Sequence, residues 1–87
     1  MFIKNKRGTT LINLNRVDGI KTDSVNDDVS NIVIFNYGIA TVGAPLIESK
    51  KSIGRYSKTQ AQQIIGEIYQ AMERGKSVYI LPEINNA

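Results

Sequence analysis

The sequence predicts an α+β domain in two layers, an antiparallel sheet of about five strands with one long helix packed across one face. Three observations lead to this fold class. Short β-prone segments separated by turn residues precede Tyr56, one amphipathic helical pattern follows, and a last apolar segment ends before Pro82. The 87 residues are enough for one domain, which we expect over 1–82, with 83–87 as a tail that frays.

The N-terminal third of the chain predicts three short strands. Residues 2–6 and 10–14 are β-prone, and Gly8 between them marks a turn, with a single strand bent at Gly8 as the alternative. A tight polar corner at 15–16 then leads into a third strand over 17–24. We therefore expect a meander that begins at the second residue.

The middle of the chain predicts a polar loop and a second hairpin. The apolar run at 31–36 indicates a buried strand, and the Asn-Tyr-Gly sequence at 36–38 is typical of a tight turn, because glycine accepts positive φ. The turn leads into a strand at 39–42, which Gly-Ala-Pro at 43–45 ends. Residues 46–53 predict one more strand.

The helix is predicted over 58–74. Ser57 is a favourable N-cap, Gln60 three residues later completes a capping box, and Gly75 is placed to end the helix in the left-handed conformation. An apolar stripe at helical spacing should pack on the sheet. Its members are Ala61, Ile64, Ile65, Ile68, Tyr69 and Met72. Residues 77–81, of which the last four are apolar, then predict a final short strand.

The chain resembles a group of small single-domain proteins from Gram-positive bacteria and their phages. The resemblance lies in the opening MFIKNKRGTTLINLNRV and in the later stretch GRYSKTQAQQIIGEIYQAMERGKSVYILP. It covers most of the chain, and its motifs are structural: a strand, a corner, a Tyr-Ser helix cap and a terminal strand. The resemblance therefore implies a fold and transfers no functional residue.

The net charge of +3 is unevenly distributed along the chain. Two basic segments, 1–16 and 50–58, contain no acidic residue and flank an acidic middle. They either form a face that attracts anionic partners or are surface charges that keep a small domain soluble. The candidate anion-binding or partner-binding residues are Lys4, Lys6, Arg7, Lys50, Lys51, Arg55 and Lys58.

The segment KKSIGRYSK at 50–58 is where an anion site is most expected. Glycine, basic and hydroxyl residues precede a helix N-terminus, whose backbone N–H groups favour anions. The segment does not match the phosphate-loop pattern G-x-x-x-x-G-K-S/T, and Ser57 is explained by the helix cap. Lys50, Lys51 and Arg55 have no such structural explanation, so they are the first candidates for contact with a partner.

Catalysis and metal binding are not expected. The chain has no His and no Cys, so the commonest general base, nucleophile and metal ligands are missing. The paired carboxylates Asp27 and Asp28 lack the glycine and distal glutamate of an EF-hand loop. We expect no enzyme, no cofactor and no metal, and a metal-dependent nuclease would be the enzyme class compatible with these residue types.

The sequence therefore predicts a non-enzymatic regulatory or accessory binding protein, such as a phage-borne inhibitor or adaptor that occupies a protein partner. One alternative is a nucleic-acid-binding module whose basic sheet face carries stacking rings. Its rings would be those of Phe2, Phe35, Tyr37 and Tyr56. A second alternative is sequestration of a nucleotide or other phosphate compound at a subunit interface.

Two further expectations concern assembly and location. The terminal strand is apolar on both faces, which predicts a homo-oligomer, most simply a dimer. The longest apolar run is too short to span a bilayer, and the N-terminal residues lack the apolar region of a signal peptide. We therefore expect a cytoplasmic protein that does not contact membranes.

Overall fold

The structure is a computed structural model that describes residues 1–39 and 46–83. The described residues form six strands and one α-helix between the fifth and sixth strands. In chain order these are β1 (Phe2–Asn5), β2 (Leu11–Asn13), β3 (Gly19–Ser24), β4 (Val29–Ile39), β5 (Leu46–Ser57), α1 (Lys58–Glu73) and β6 (Val78–Leu81). The predicted α+β class with two layers is confirmed, with the strands divided between two sheets.

Sheet A consists of β2, β1 and β6 in that spatial order. The hairpin of β1 and β2 is antiparallel and turns through Gly8, whose φ of 71° is one that a side chain would disfavour. A short 3-10 helix, Leu14–Arg16, forms the predicted polar corner after β2. β6 lies parallel to β1, so the first and last strands of the domain are neighbours.

Sheet B is an antiparallel meander of β3, β4 and β5. The predicted turn at 36–38 is wrong, because β4 continues to Ile39 and Gly38 pairs with Ile47 of β5. The Tyr37 N–H donates to the Asp18 carboxylate (2.6 Å), and this long-range contact holds the segment extended. The predicted strand break at 43–45, and most of the strand predicted at 39–42, lie outside the described residues.

Helix α1 begins at the predicted residue and ends at Glu73, one residue before the predicted end. The Ser57 hydroxyl accepts a hydrogen bond from the Gln60 N–H (3.2 Å), and Gly75 has a φ of 70° directly after the final turn. Burial follows a slightly different stripe from the predicted one: Ala61, Ile64, Ile68 and Ala71. Tyr69 and Met72 are 64% and 53% exposed, since the buried row takes the i+3 step from Ile68 to Ala71 and leaves them to one side.

The core lies where α1 meets both sheets. Ile3 of β1, Leu81 of β6 and Ile32 of β4 are completely or almost completely buried, and they pack with the apolar side chains of α1. The Tyr56 hydroxyl donates to the Pro82 carbonyl (2.8 Å) and so connects β5 to the end of β6. The two sheets are therefore joined through one core. The tail predicted to fray lies outside the described residues from residue 84 onward.

Candidate partner-binding surface

The outer face of sheet A, the face turned away from the core, carries a group of exposed apolar side chains. In the strand register, Phe2 lies opposite Val78, and Lys4 lies between Leu11 and Ile80. Residues that are directly opposite in neighbouring strands share a face of the sheet. The exposed fractions are 40% for Phe2, 67% for Leu11, 42% for Val78 and 49% for Ile80. We call these four residues and Lys4 the sheet A outer face.

Strand alternation explains how this face arises. The intervening residues Ile3 and Leu81 point to the core and are buried, so their neighbours must point outward. A sheet that is covered on one side usually alternates apolar inward residues with polar outward ones. Here Val78 and Ile80 are apolar and face outward. A contiguous exposed apolar patch of this kind is typical of an interaction site.

The surroundings of the sheet A outer face are basic. Lys4 lies on the face itself, while Lys6 and Arg7 follow at the end of β1. Within the part of the chain that the structure describes, Lys4 makes no ion pair. The structure therefore places one predicted candidate, Lys4, on this apolar surface and two more, Lys6 and Arg7, just beyond the end of the strand that carries it.

A cleft of about 350 Å³ lies beside the β1–β2 turn. Lys6 and Arg7 line it together with Tyr56 and Glu83. The Tyr56 hydroxyl already donates to a backbone carbonyl, and burial raises the pKa of this phenol, so it remains neutral. Because Glu83 adds a negative charge, the cleft is not a purely cationic pocket for a phosphate group.

The other candidate basic residues do not form one cluster. β5 extends through the segment to Ser57, and alternation places Lys50 and Lys51 on opposite faces of sheet B. Lys50 contacts the Asp23 carboxylate at 3.4 Å, and Arg55 donates from Nε to the Asn31 side chain at 3.3 Å. The remaining candidate is Lys58, in the first turn of α1. Its backbone N–H donates to the carbonyl of Asp28 (2.9 Å).

The outer face of sheet B is occupied by contacts within the chain. Lys21 Nζ lies 2.8 Å from Glu48 Oε1 and 4.7 Å from the centre of the Phe35 ring. The Phe35 ring meets Tyr37 edge-on, with 5.5 Å between the ring centroids. The hydrogen bond from Lys21 lowers the pKa of Glu48, and the same bond raises the pKa of Lys21. Charges on this face therefore have partners in the protein itself.

The aromatic rings do not share a face. Phe2 belongs to the sheet A outer face, whereas Phe35 and Tyr37 lie on the outer face of sheet B. Tyr56 is 5% exposed and belongs to the core. The expectation of one basic face carrying all of these rings is therefore wrong, because the rings are distributed over two sheets and the core.

A groove of about 350 Å³ runs between α1 and the edge of β6 that is turned away from β1. Its lining includes Glu67 and Arg74 on the helix side and Lys76 just before the strand. The Tyr79 hydroxyl donates to Glu67 Oε2 (2.7 Å), and burial together with this bond raises the pKa of Tyr79. Sequence reasoning did not predict the groove. Its only signal was the terminal strand that is apolar on both faces.

The described residues contain no group of three or more His, Cys, Asp or Glu side chains placed to hold a metal ion. In that same part of the chain, no helix combines the length and the apolar character needed to span a membrane. No protein-family model, curated protein or solved structure matches this sequence. The resemblance to small Gram-positive and phage proteins therefore stays a prediction.

Proposed function

We propose that this protein is a non-enzymatic, cytoplasmic binding module that acts as an inhibitor or adaptor by occupying a protein partner. The sheet A outer face is the proposed contact surface. The observation that carries the proposal is that four exposed apolar side chains surround Lys4 on one side of a three-stranded sheet. Burying such side chains against a partner is favourable by roughly 25 cal/mol per Å² of apolar surface.

The composition of the face favours protein over nucleic acid. Three of its four apolar side chains are aliphatic, and Phe2 supplies one ring. Single-stranded nucleic acids are bound mainly by stacking on several aromatic rings, whereas the centres of protein interfaces are apolar and depleted in charge. The aliphatic side chains on this face, those of Leu11, Val78 and Ile80, are therefore typical of the centre of a protein interface.

Charge favours a different protein rather than a second copy of this one. Residues 1–16 contain no acidic residue, and the face carries Lys4. In a two-fold symmetric dimer, the same patch meets itself, so face-to-face packing would bring two Lys4 ammonium groups together without a carboxylate. The proposed partner surface is therefore apolar with at least one acidic side chain that pairs with Lys4.

The test compares two matched substitutions. Leu11→Glu places a charge on the sheet A outer face, and Ile47→Glu places the same charge at a 50% exposed apolar position of sheet B. Affinity capture from the native host at physiological salt should recover a specific protein with wild type and Ile47→Glu, but not with Leu11→Glu. Equal recovery with all three proteins contradicts the proposal.

A second measurement distinguishes binding of a protein partner from the alternative, binding of nucleic acid. Labelled single-stranded DNA and RNA should show no binding that depends on Leu11. Binding that weakens steeply with salt and is lost in Leu11→Glu would instead assign the surface to nucleic acid.

A further inference from the structure

β6 is an edge strand with backbone groups available for pairing. β1 pairs with it on one side, and none of the described strands pairs with it on the other. The Phe2 N–H donates to the Ser77 carbonyl at 2.8 Å, which fixes the register of the parallel ladder. In such a ladder alternate residues bond to the neighbour, so the N–H and C=O groups of Val78 and Ile80 point away from β1.

The groove lined by residues of α1 and β6 lies directly beside this edge. It is bounded by β6 on one side and by the flank of α1 that carries Gln70 and Arg74 on the other. Neighbouring strands lie about 4.8 Å apart, and a groove between a sheet edge and a helix is a recurrent place for an extended peptide to add as a new strand. The backbone of such a peptide would bond to Val78 and Ile80.

The charges that line the groove favour an acidic occupant. Both carboxylate oxygens of Glu67 accept hydrogen bonds within the protein, from Tyr79 at 2.7 Å and from Gln63 at 3.5 Å. Arg74 and Lys76 make no ion pair with any residue in 1–39 or 46–83. The groove lining therefore holds two cations without an ionic partner among the described residues and one carboxylate whose oxygens already accept hydrogen bonds, a net positive charge that favours an acidic segment.

We infer that the protein partner adds an extended segment of alternating apolar and acidic residues as a new strand on the edge of β6. This inference rests on the proposed function and names the partner segment and its mode of binding. Side chains of the added strand alternate between faces. One set would extend the apolar surface of Val78 and Ile80, and the other would enter the groove and pair with Arg74 and Lys76.

A second copy of the chain fits the edge less well. Suppose that two β6 strands pair antiparallel so that both outer faces lie on the same side of the joined sheet. Each outward-facing residue of one strand would then lie opposite an outward-facing residue of the other. Val78 would face an outward residue of the copy, such as Val78 or Ile80, and Lys76 would never face Glu83, so the cations beside the edge would gain no acidic partner from the copy. Since Pro82 has no N–H to donate, the edge also ends there.

The binding test uses synthetic peptides on the wild-type protein. A seven-residue peptide that alternates Val and Glu is compared with one that alternates Val and Lys, by fluorescence anisotropy at physiological salt. The acidic peptide should bind about tenfold more tightly, because like charges in the groove disfavour the basic one. Equal affinity for both peptides overturns the inference.

N-methylated forms of the acidic peptide test the backbone contacts. Methylation of the amides that face β6 should weaken binding about tenfold, the loss expected for one or two backbone hydrogen bonds. Methylation of the alternate amides, which face away, should have a much smaller effect. If neither set of methyl groups weakens binding, strand addition is contradicted.

Two variants of the edge complete the test. Ile80→Pro removes an N–H that points away from β1, and proline is tolerated on an edge strand with this orientation. Ile80→Ala shortens the same side chain but keeps the donor. Peptide binding should fall about tenfold in Ile80→Pro and much less in Ile80→Ala. If the proline variant does not fold, the methylated peptides give the same answer on the wild-type protein.

The outcomes separate this inference from the proposed function. Leu11 lies on β2, on the far side of β1 from the edge. If Leu11→Glu abolishes capture of the partner while Ile80→Pro leaves it unchanged, the surface is correct and strand addition is wrong. If neither variant affects capture, both proposals fail. A dimer in light scattering that Ile80→Pro converts to a monomer would assign the edge to a second copy and overturn the inference.

Discussion

Sheets A and B have three strands each and share one core, yet their outer faces differ in kind. On sheet B, Lys21 pairs with Glu48 and also lies over the Phe35 ring. On sheet A, Leu11 and Ile80 lie exposed beside Lys4, which has no ionic partner among the described residues. The charged and aromatic side chains on the outer face of sheet B contact one another. The outer face of sheet A instead exposes apolar side chains and a lysine that a partner could cover and pair with.

This difference predicts that the outer face of sheet B contributes to stability and that the outer face of sheet A contributes to binding. Residues on the outer face of sheet B contact one another across strands and so contribute to the folded state. The apolar residues on the sheet A outer face are 40–67% exposed, so replacing them should cost less stability than replacing buried residues. A surface that can change with little loss of stability, and yet is apolar, is the pattern expected of a binding site.

The largest expected effect contrasts the two faces of sheet A. Ile3→Ala should lower the free energy of unfolding by about 2–5 kcal/mol, because Ile3 is completely buried. Phe2→Ala should cost less than about 1 kcal/mol, because the ring is 40% exposed on the outer face. Urea unfolding measures both. Equal losses would mean that the outer face belongs to the core.

A smaller effect is expected from two glycines of sheet B. A Cβ on Gly54 would lie 2.6 Å from the Tyr56 ring, and one on Gly19 would clash with the Phe35 ring. Tyr56 is buried and hydrogen-bonded, so Gly54→Ala should cost about 1–3 kcal/mol. Phe35 is only partly buried and can move, so Gly19→Ala should cost less. The reverse order in thermal unfolding would contradict this description of sheet B.

A substitution outside both sheets serves as a reference. Gly66 lies on the exposed side of α1, and a Cβ there would meet no atom within 4 Å. Gly66→Ala should therefore raise the free energy of unfolding by about 1 kcal/mol and leave partner capture unchanged. A loss of capture in this variant would place the helix surface in the interface.

The smallest expected effect is the pH dependence of the outer face of sheet B. The pKa of Glu48 is lowered below its ordinary value of 4.5, so its contribution is present above that pH and is lost as the pH falls through the lowered value. The pKa of Lys21 is raised above 10.5, so its contribution is lost only as the pH rises through the raised value. The melting temperature of Glu48→Gln should be slightly below that of wild type at neutral pH and should converge with it in acid.

Local signals were sufficient for the elements that depend on neighbouring residues. The cap at Ser57, the helix that follows it and the turn at Gly8 were all predicted, because each is determined within a few positions. The turn predicted at 36–38 failed for the opposite reason. β4 stays extended there because it pairs with β5 and because the Tyr37 N–H donates to Asp18, far earlier in the chain.

The candidate surface was only partly accessible from the sequence. Charge segregation identified Lys4 as a candidate, but the apolar neighbours of Lys4 come from both ends of the chain and meet only because β6 pairs with β1. The segment 50–58 looked like one basic patch in sequence. Strand alternation separates Lys50 from Lys51, and the extent of β5 depends on its pairing with β4.

The assignment of a protein partner to the sheet A outer face can be tested most directly by site-specific photo-crosslinking in the native host, with an exposed apolar position elsewhere on the molecule as the control. A photoreactive amino acid replaces Leu11 in one strain and Ile47 in another, two exposed apolar strand positions on different sheets. We predict a discrete adduct that is sensitive to protease and insensitive to nuclease at position 11, and no such adduct at position 47. An adduct of equal yield at both positions, or no protein adduct at position 11, would contradict the assignment of the sheet A outer face to a protein partner.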